Sequence, residues 1–248
     1  MKHATLLSIP LFLFILFTHG QSPNPNARTL GPLMTTVTPS LRMEDLEKEW
    51  KTRALYTGGS YETGSAFSGS PFYNDDWEDG YIKLTDNREA RNLSLRFNAY
   101  TNEIYIKRDS SIAVLDGAVI PIAEFGLSDA AGINVFRRGF PAAGSYTAST
   151  FYEVLASGKL TLLQRHAKKI VEKSDINHVP VKEMTDAEFW YVFDAAANTM
   201  TEIKHNKNAL IEALPAKADA IRAIIQAKKL RMKEDQDWVI LFDELNSK

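Results

Sequence analysis

"YIKLTDNREARNLSLRFNAYTNEIYIK", residues 81–107, is the stretch whose reading decides the fold. Three runs within it, 81–84, 92–97 and 103–107, alternate apolar and polar side chains. A period of two marks a strand with one buried face, because successive side chains point to opposite sides of a sheet. The connectors "TDNREA" and "NAYTN" carry Asn and Asp, which tolerate left-handed backbone and bond their own main chain, so they suit hairpin turns. Strands joined by such short turns pair antiparallel.

The pattern continues downstream. "IAVL" (112–115) and "AVIPI" (118–122) flank Asp116-Gly117, a dipeptide that favours a tight turn, and read as a hairpin. Pro121 places its strand at an edge or an end. "INVFRR" (133–138) is a further strand. "TFYEVLA" (150–156) and "KLTLLQR" (159–165) flank Ser157-Gly158, and "FWYVFD" (189–194) and "MTEIK" (200–204) flank "AAAN". The unbroken run "FWYVF" needs cover on both faces of its strand, or a partner on one.

Past residue 206 or so the period changes to that of helices. "KNALIEAL" stops at Pro215. "KADAIRAIIQAKKL" aligns Ile221, Ile224, Ile225 and the stem of Lys228, and "DQDWVILFDEL" aligns Trp238, Leu241, Phe242 and Leu245. Glu234 and Asp235 stand where the last helix begins and its dipole favours acids. The expected fold class is α+β: an antiparallel β-meander, open or curled into a partial barrel, with C-terminal helices packed on it or on each other.

Upstream the chain reads differently. Residues 21–70 form a Pro/Gly/Ser-rich linker, with prolines at 23, 25, 32 and 39, a short helical candidate at "MEDLEKEW" (43–50), and Gly-Ser pairs at 59–60, 64–65 and 69–70. The glycine spacing resembles a phosphate-binding loop. However, Ser65 and Ser70 stand where that loop needs lysine, and no apolar strand leads into it, so the segment reads as a flexible approach to a domain spanning 71–248. Residues 1–20 carry Lys2, an apolar run from Leu6 to Phe17 and a small residue, Gly20, at the expected cut, which is the layout of a secretory signal peptide. The run is shorter than the roughly 20 residues a membrane span takes. With no other long apolar run, the mature chain is expected to be soluble and without a transmembrane span.

Composition narrows the chemistry. The 248 residues are 44% hydrophobic and 24% charged, ordinary for a globular chain. A net charge of −2, or −3 once Lys2 is removed, offers no basic face for nucleic acid. The absence of cysteine removes disulfides, thiolate metal sites and thiol nucleophiles. An exported chain of this size without disulfides fits a bacterial envelope better than a eukaryotic secretory route.

From Gly69 onward the order of a Gly-small-Pro-aromatic lead, the acidic turn "NDDWEDG", "RFNAY" (96–100), a following "NE" turn and the tail "IIQAKKLRMKEDQDWVILFDEL" resembles a family of exported β-rich proteins of Bacteroidota that has no known activity. The resemblance covers roughly residues 69–248. It implies export and architecture, and it carries no functional residue onto this chain.

No motif assigns a reaction. In "NDDWEDG" (74–80) neither register from Asn74 or Asp75 supplies the oxygen ligands and glycine of a calcium loop, so it reads as a solvated turn. His166, His178 and His205 have no zinc-ligand spacing. There is no G-x-S-x-G. Glu103, Asp109, Glu124 and Glu153 lie near strands without singling out a pair for glycosidic cleavage. No catalytic, cofactor-binding or metal residue is therefore expected. The expectation is an exported envelope protein, periplasmic or associated with the outer membrane, acting as a non-enzymatic binding or structural module. Its partner would be another envelope protein or, as a carrier with a curled sheet, a small apolar ligand. A polysaccharide hydrolase is the weaker alternative.

Overall fold

The computed structural model describes residues 53–54, 67–109, 111–115, 120–174 and 180–247. Twelve strands form one sheet: β1 (Arg53–Ala54), β2 (Phe67–Ser68), β3 (Glu78–Leu84), β4 (Glu89–Asn98), β5 (Glu103–Arg108), β6 (Ser111–Leu115), β7 (Ile122–Asp129), β8 (Gly132–Arg137), β9 (Tyr152–Ala156), β10 (Leu160–Ser174), β11 (Pro180–Asp194) and β12 (Thr199–Ile203). Three helices follow: α1 (Lys207–Ala213), α2 (Ala218–Lys228) and α3 (Asp235–Asn246). Among the described residues no helix is long and apolar enough to cross a membrane.

The turns form for the reason their residues suggest. Asn87, Asn102 and Asn198 adopt positive φ between β3 and β4, β4 and β5, and β11 and β12. Asn98 Oδ1 accepts from the amides of Tyr100 and Thr101, and Asp194 Oδ1 from those of Ala196 and Ala197. The hairpins expected around Ser157-Gly158 and "AAAN" are present as β9–β10 and β11–β12.

The order of strands across the sheet is β1-β6-β5-β4-β3-β7-β8-β9-β10-β11-β12, all antiparallel pairs, with β2 lying parallel to β11. It is a meander in two legs. One runs β3 to β6. The chain then returns, and β7 pairs with β3 and starts the second leg. The expected hairpin of "IAVL" with "AVIPI" therefore does not form: β6 pairs with β5 and β1, and Ile122, just after Pro121, opens a central strand. Asp116 and Gly117 themselves lie outside the described residues. The Asp-Gly signal was outweighed by the apolar faces of β3 and β7, where Ile82, Phe125 and Leu127 are fully buried.

The first leg bends. Phe97 on β4 and Phe136 on β8 bring their ring centroids to 5.3 Å with β3 and β7 lying between them. Three strand spacings would hold them about 14 Å apart in a flat sheet. Phe125 fills the hollow, stacked on Phe136 at 4.7 Å, with Phe151 edge-on at 5.0 Å. This is the first apolar core.

The second core lies under the helices. One face of β9–β12 contributes Leu160, Leu162, Trp190 and Val192, and α3 contributes Trp238, Leu241, Phe242 and Leu245, the four residues its spacing predicted. Trp190 stacks on His205 at 4.0 Å, and Trp238 lies 4.9 Å from the same imidazole. The opposite face of β11 buries Tyr191 and partly buries Phe189 and Phe193 against Tyr152 and Phe140. "FWYVF" is unbroken because both its faces are covered.

Two dipeptides from the stretch read as linker join this sheet: Arg53–Ala54 on β6 and Phe67–Ser68 on β11. Gly69, the last glycine of the repeat, has φ of +85°, and a Cβ there would stand 2.6 Å from the carbonyl oxygen of Met184. Gly59, Gly64 and the helical candidate at 43–50 lie outside the described residues.

Candidate functional site

β10 supplies the floor of the site. On one of its faces Leu160 and Leu162 enter the helical core, and the next residues on that face are Gln164, His166 and Lys168. The strand turns polar while remaining covered: Gln164 is only 3% exposed. These three side chains line a cleft of about 680 Å³. Its other walls are Tyr73 and Asn74, the start of β3 at Glu78, the end of β7 at Asp129, Gly132–Asn134 at the start of β8, Asp186 and Glu188 on β11, and the first turn of α3. The volume suits a small organic molecule.

Its electrostatics are one-sided. Seven carboxylates line the cleft, against one lysine and one histidine. Lys168 is already engaged, its Nζ 2.5 Å from Asp186 Oδ1. His166 Nε2 lies 2.6 Å from Glu153 Oε2, a diagonal cross-strand contact, since Glu153 sits directly opposite Gln164 in the ladder. The His166 ring is held by Tyr73 at 4.7 Å and Phe136 at 6.0 Å, so one side of the pair rests on the first core. Glu153 is 2% exposed.

Glu78 is a buried acid of the cleft held by an amide and not by a cation. It is 7% exposed, and Asn74 Nδ2 donates to its Oε1 at 3.3 Å. No cationic side chain pairs with it among the described residues. Burial pushes its carboxyl above the usual range, partly offset by the Asn74 bond, and the nearby charges of Asp129 and Asp76 push the same way as burial. Asp129 itself is well held: Oδ1 accepts from the amides of Ala131 and Gly132 at 2.7 and 2.9 Å, and Oδ2 from Asn134 Nδ2 at 2.8 Å.

Gln164 differs from all of these. Its amide lines the cleft, and no hydrogen bond to its side chain forms among the described residues. Polar groups on so covered a residue are normally satisfied, by protein or by a bound molecule. Gln164 lines the cleft, so a molecule bound there can supply the partner.

The residues weighed from sequence scatter. Glu153 and His166 come together in the cleft. Glu78, within "NDDWEDG", starts β3 and is buried, so that part of the run is not a solvated turn. Glu124 accepts from Tyr81 Oη at 2.7 Å and pairs with Arg137 away from the cleft. Glu103 accepts from Thr101 Oγ1 at 2.8 Å, Asp109 occupies a left-handed turn, and His205 stacks on Trp190. His178 lies outside the described residues. No group of three or more His, Asp or Glu is placed to hold a metal ion among the described residues. Sequence reasoning passed over Gln164, although a polar residue continuing an apolar strand face is a usable signal.

Fold and cleft together define a β-rich α+β protein with a polar, acidic pocket beside its helical cap. No family model, curated protein or solved structure matches the chain.

Proposed function

We propose that the protein is an exported, non-enzymatic binding module that holds a small polar ligand in the cleft over β10. The Gln164 amide carries this reading: the residue is almost fully buried, lines the cleft and has no side-chain hydrogen bond among the described residues. The signal-like first twenty residues and the family resemblance support export to the periplasm or outer membrane. The acidic lining disfavours the apolar-ligand carrier, because burying apolar surface against carboxylates desolvates them without compensation.

The test is calorimetric titration of the purified protein with a panel of small cationic, neutral and anionic polar compounds. Binding of one of them, lost in Gln164→Leu with the fold retained by circular dichroism, is the expected result. No binding across the panel removes the reading. Cell fractionation, with amino-terminal sequencing expected to start at Gln21, tests export.

One observation favours a second reading, a polysaccharide hydrolase. Burial raises the proton affinity of Glu78, and the nearby Asp129 carboxylate accepts from three donors; a buried carboxyl near a second, well-held one suits a general acid and its partner. Turnover of a polysaccharide, abolished in Glu78→Gln, would establish it over the binding module.

A further inference from the structure

Resting on the binding reading, we infer that the ligand of the cleft is a linear organic di- or polyamine, seated along Glu78, Gln164 and Glu188. Four observations lead there. First, the lining carries seven acidic side chains, and its one lysine and one histidine are spoken for: Lys168 by Asp186 and His166 by Glu153. Second, the acids of the α3 first turn, Glu234 and Asp235, already sit at the favourable end of a helix dipole, so the deficit of positive charge is greatest at the opposite wall and floor. Third, Glu78 is buried with only an amide donor, and burial together with Asp129 raises its proton affinity; an ammonium group beside it supplies what a proton otherwise would. Fourth, Gln164 offers an acceptor oxygen to a second N–H, and an amide in place of a further carboxylate keeps the floor from deeper charge repulsion.

A metal ion answers this charge poorly, because no three ligating groups converge among the described residues. One ammonium group neutralises only one carboxylate, whereas a chain of amines reaches acids on β3 and β11 together. The methylene segments between amines have Tyr73 to lie against. Rigid anions are excluded by repulsion.

The experiment uses spermidine and putrescine as probes, with a diol and a dicarboxylate of matched length as controls, titrated into the full mature chain at low and high salt. The expected result is saturable binding of spermidine, tighter than putrescine and weakened several-fold by salt, with no binding of the controls. Glu78→Gln and Gln164→Met should each weaken spermidine at least tenfold. If Glu78→Gln does not fold, the rim variant Glu188→Gln serves in its place, with a smaller loss expected. Binding of the diol or dicarboxylate with amines ignored overturns the polyamine and leaves the binding module standing. Salt-sensitive amine binding unchanged in all three variants places the amine elsewhere and also overturns the inference. Silence of every probe here and of the broader polar panel removes both readings.

Discussion

Glu78 shows how one side chain can work against the fold that holds it. Burial is the largest cause of its raised proton affinity. A carboxyl whose folded pKa exceeds its unfolded value binds more protons in the native state, so stability is highest at low pH and falls as pH rises through the folded pKa. The penalty acts wherever the carboxyl is charged in the folded chain. Glu78→Gln keeps the shape and the contact with Asn74 and removes the charge. Its melting temperature at pH 7 should exceed that of the parent by a few degrees, and the difference should shrink as pH drops toward 4. Scanning calorimetry across that range checks it, and a variant less stable than the parent at pH 7 would contradict the account. A substitution that stabilises the fold while weakening ligand is the pattern expected of a residue kept for binding.

Elements were legible in proportion to how one-sided they are. α3 carries its apolar residues at helix spacing, and all four turned out buried. β3 to β5 alternate cleanly and end in Asn- and Asp-bearing turns. The distal halves of β10 and β11 were not legible. "HAKKIVEKS" and "PVKEMTDAE" expose charges on both faces, so no period survives, and only the 15-residue ladder between the two strands reveals them. The pairing of β7 with β3 was equally hidden, because a turn dipeptide is local and the matching of two buried strand faces is not. The candidate site suffered most: Glu78, Glu153 and Gln164 are unremarkable in sequence and meet only through register. β2 belongs at this scale too. Two residues hold it on β11, and Gly69 lets the chain pass close over Met184. Gly69→Ala combines a left-handed backbone with a Cβ at 2.6 Å from a carbonyl oxygen. It should cost about 1–3 kcal/mol in denaturant unfolding if β2 unfolds with the domain, and nothing if the segment simply detaches.

At the scale of the whole molecule, two apolar cores share one sheet. β8 and β9 join their halves through only two registered pairs, Phe136 with Glu153 and Arg137 with Tyr152. The helices are not an accessory to this arrangement. They cover Leu160, Leu162, Trp190 and Val192, which would otherwise face water as a contiguous patch. A chain ending at Lys204 should accordingly bind a hydrophobic dye strongly and precipitate on expression, while the intact chain does neither. A soluble, dye-silent truncated chain would show that the sheet manages without its cap.

The stack of Trp190, His205 and Trp238 gives the molecule an optical handle. One imidazole here touches two indoles, one from β11 and one from α3. Indole emission depends on what packs against the ring, so unseating α3 should change the protein's tryptophan fluorescence. Because Trp238 stays in the stack only while α3 is seated, the same signal reports, without any label, whether the helical lid beside the cleft is on or off.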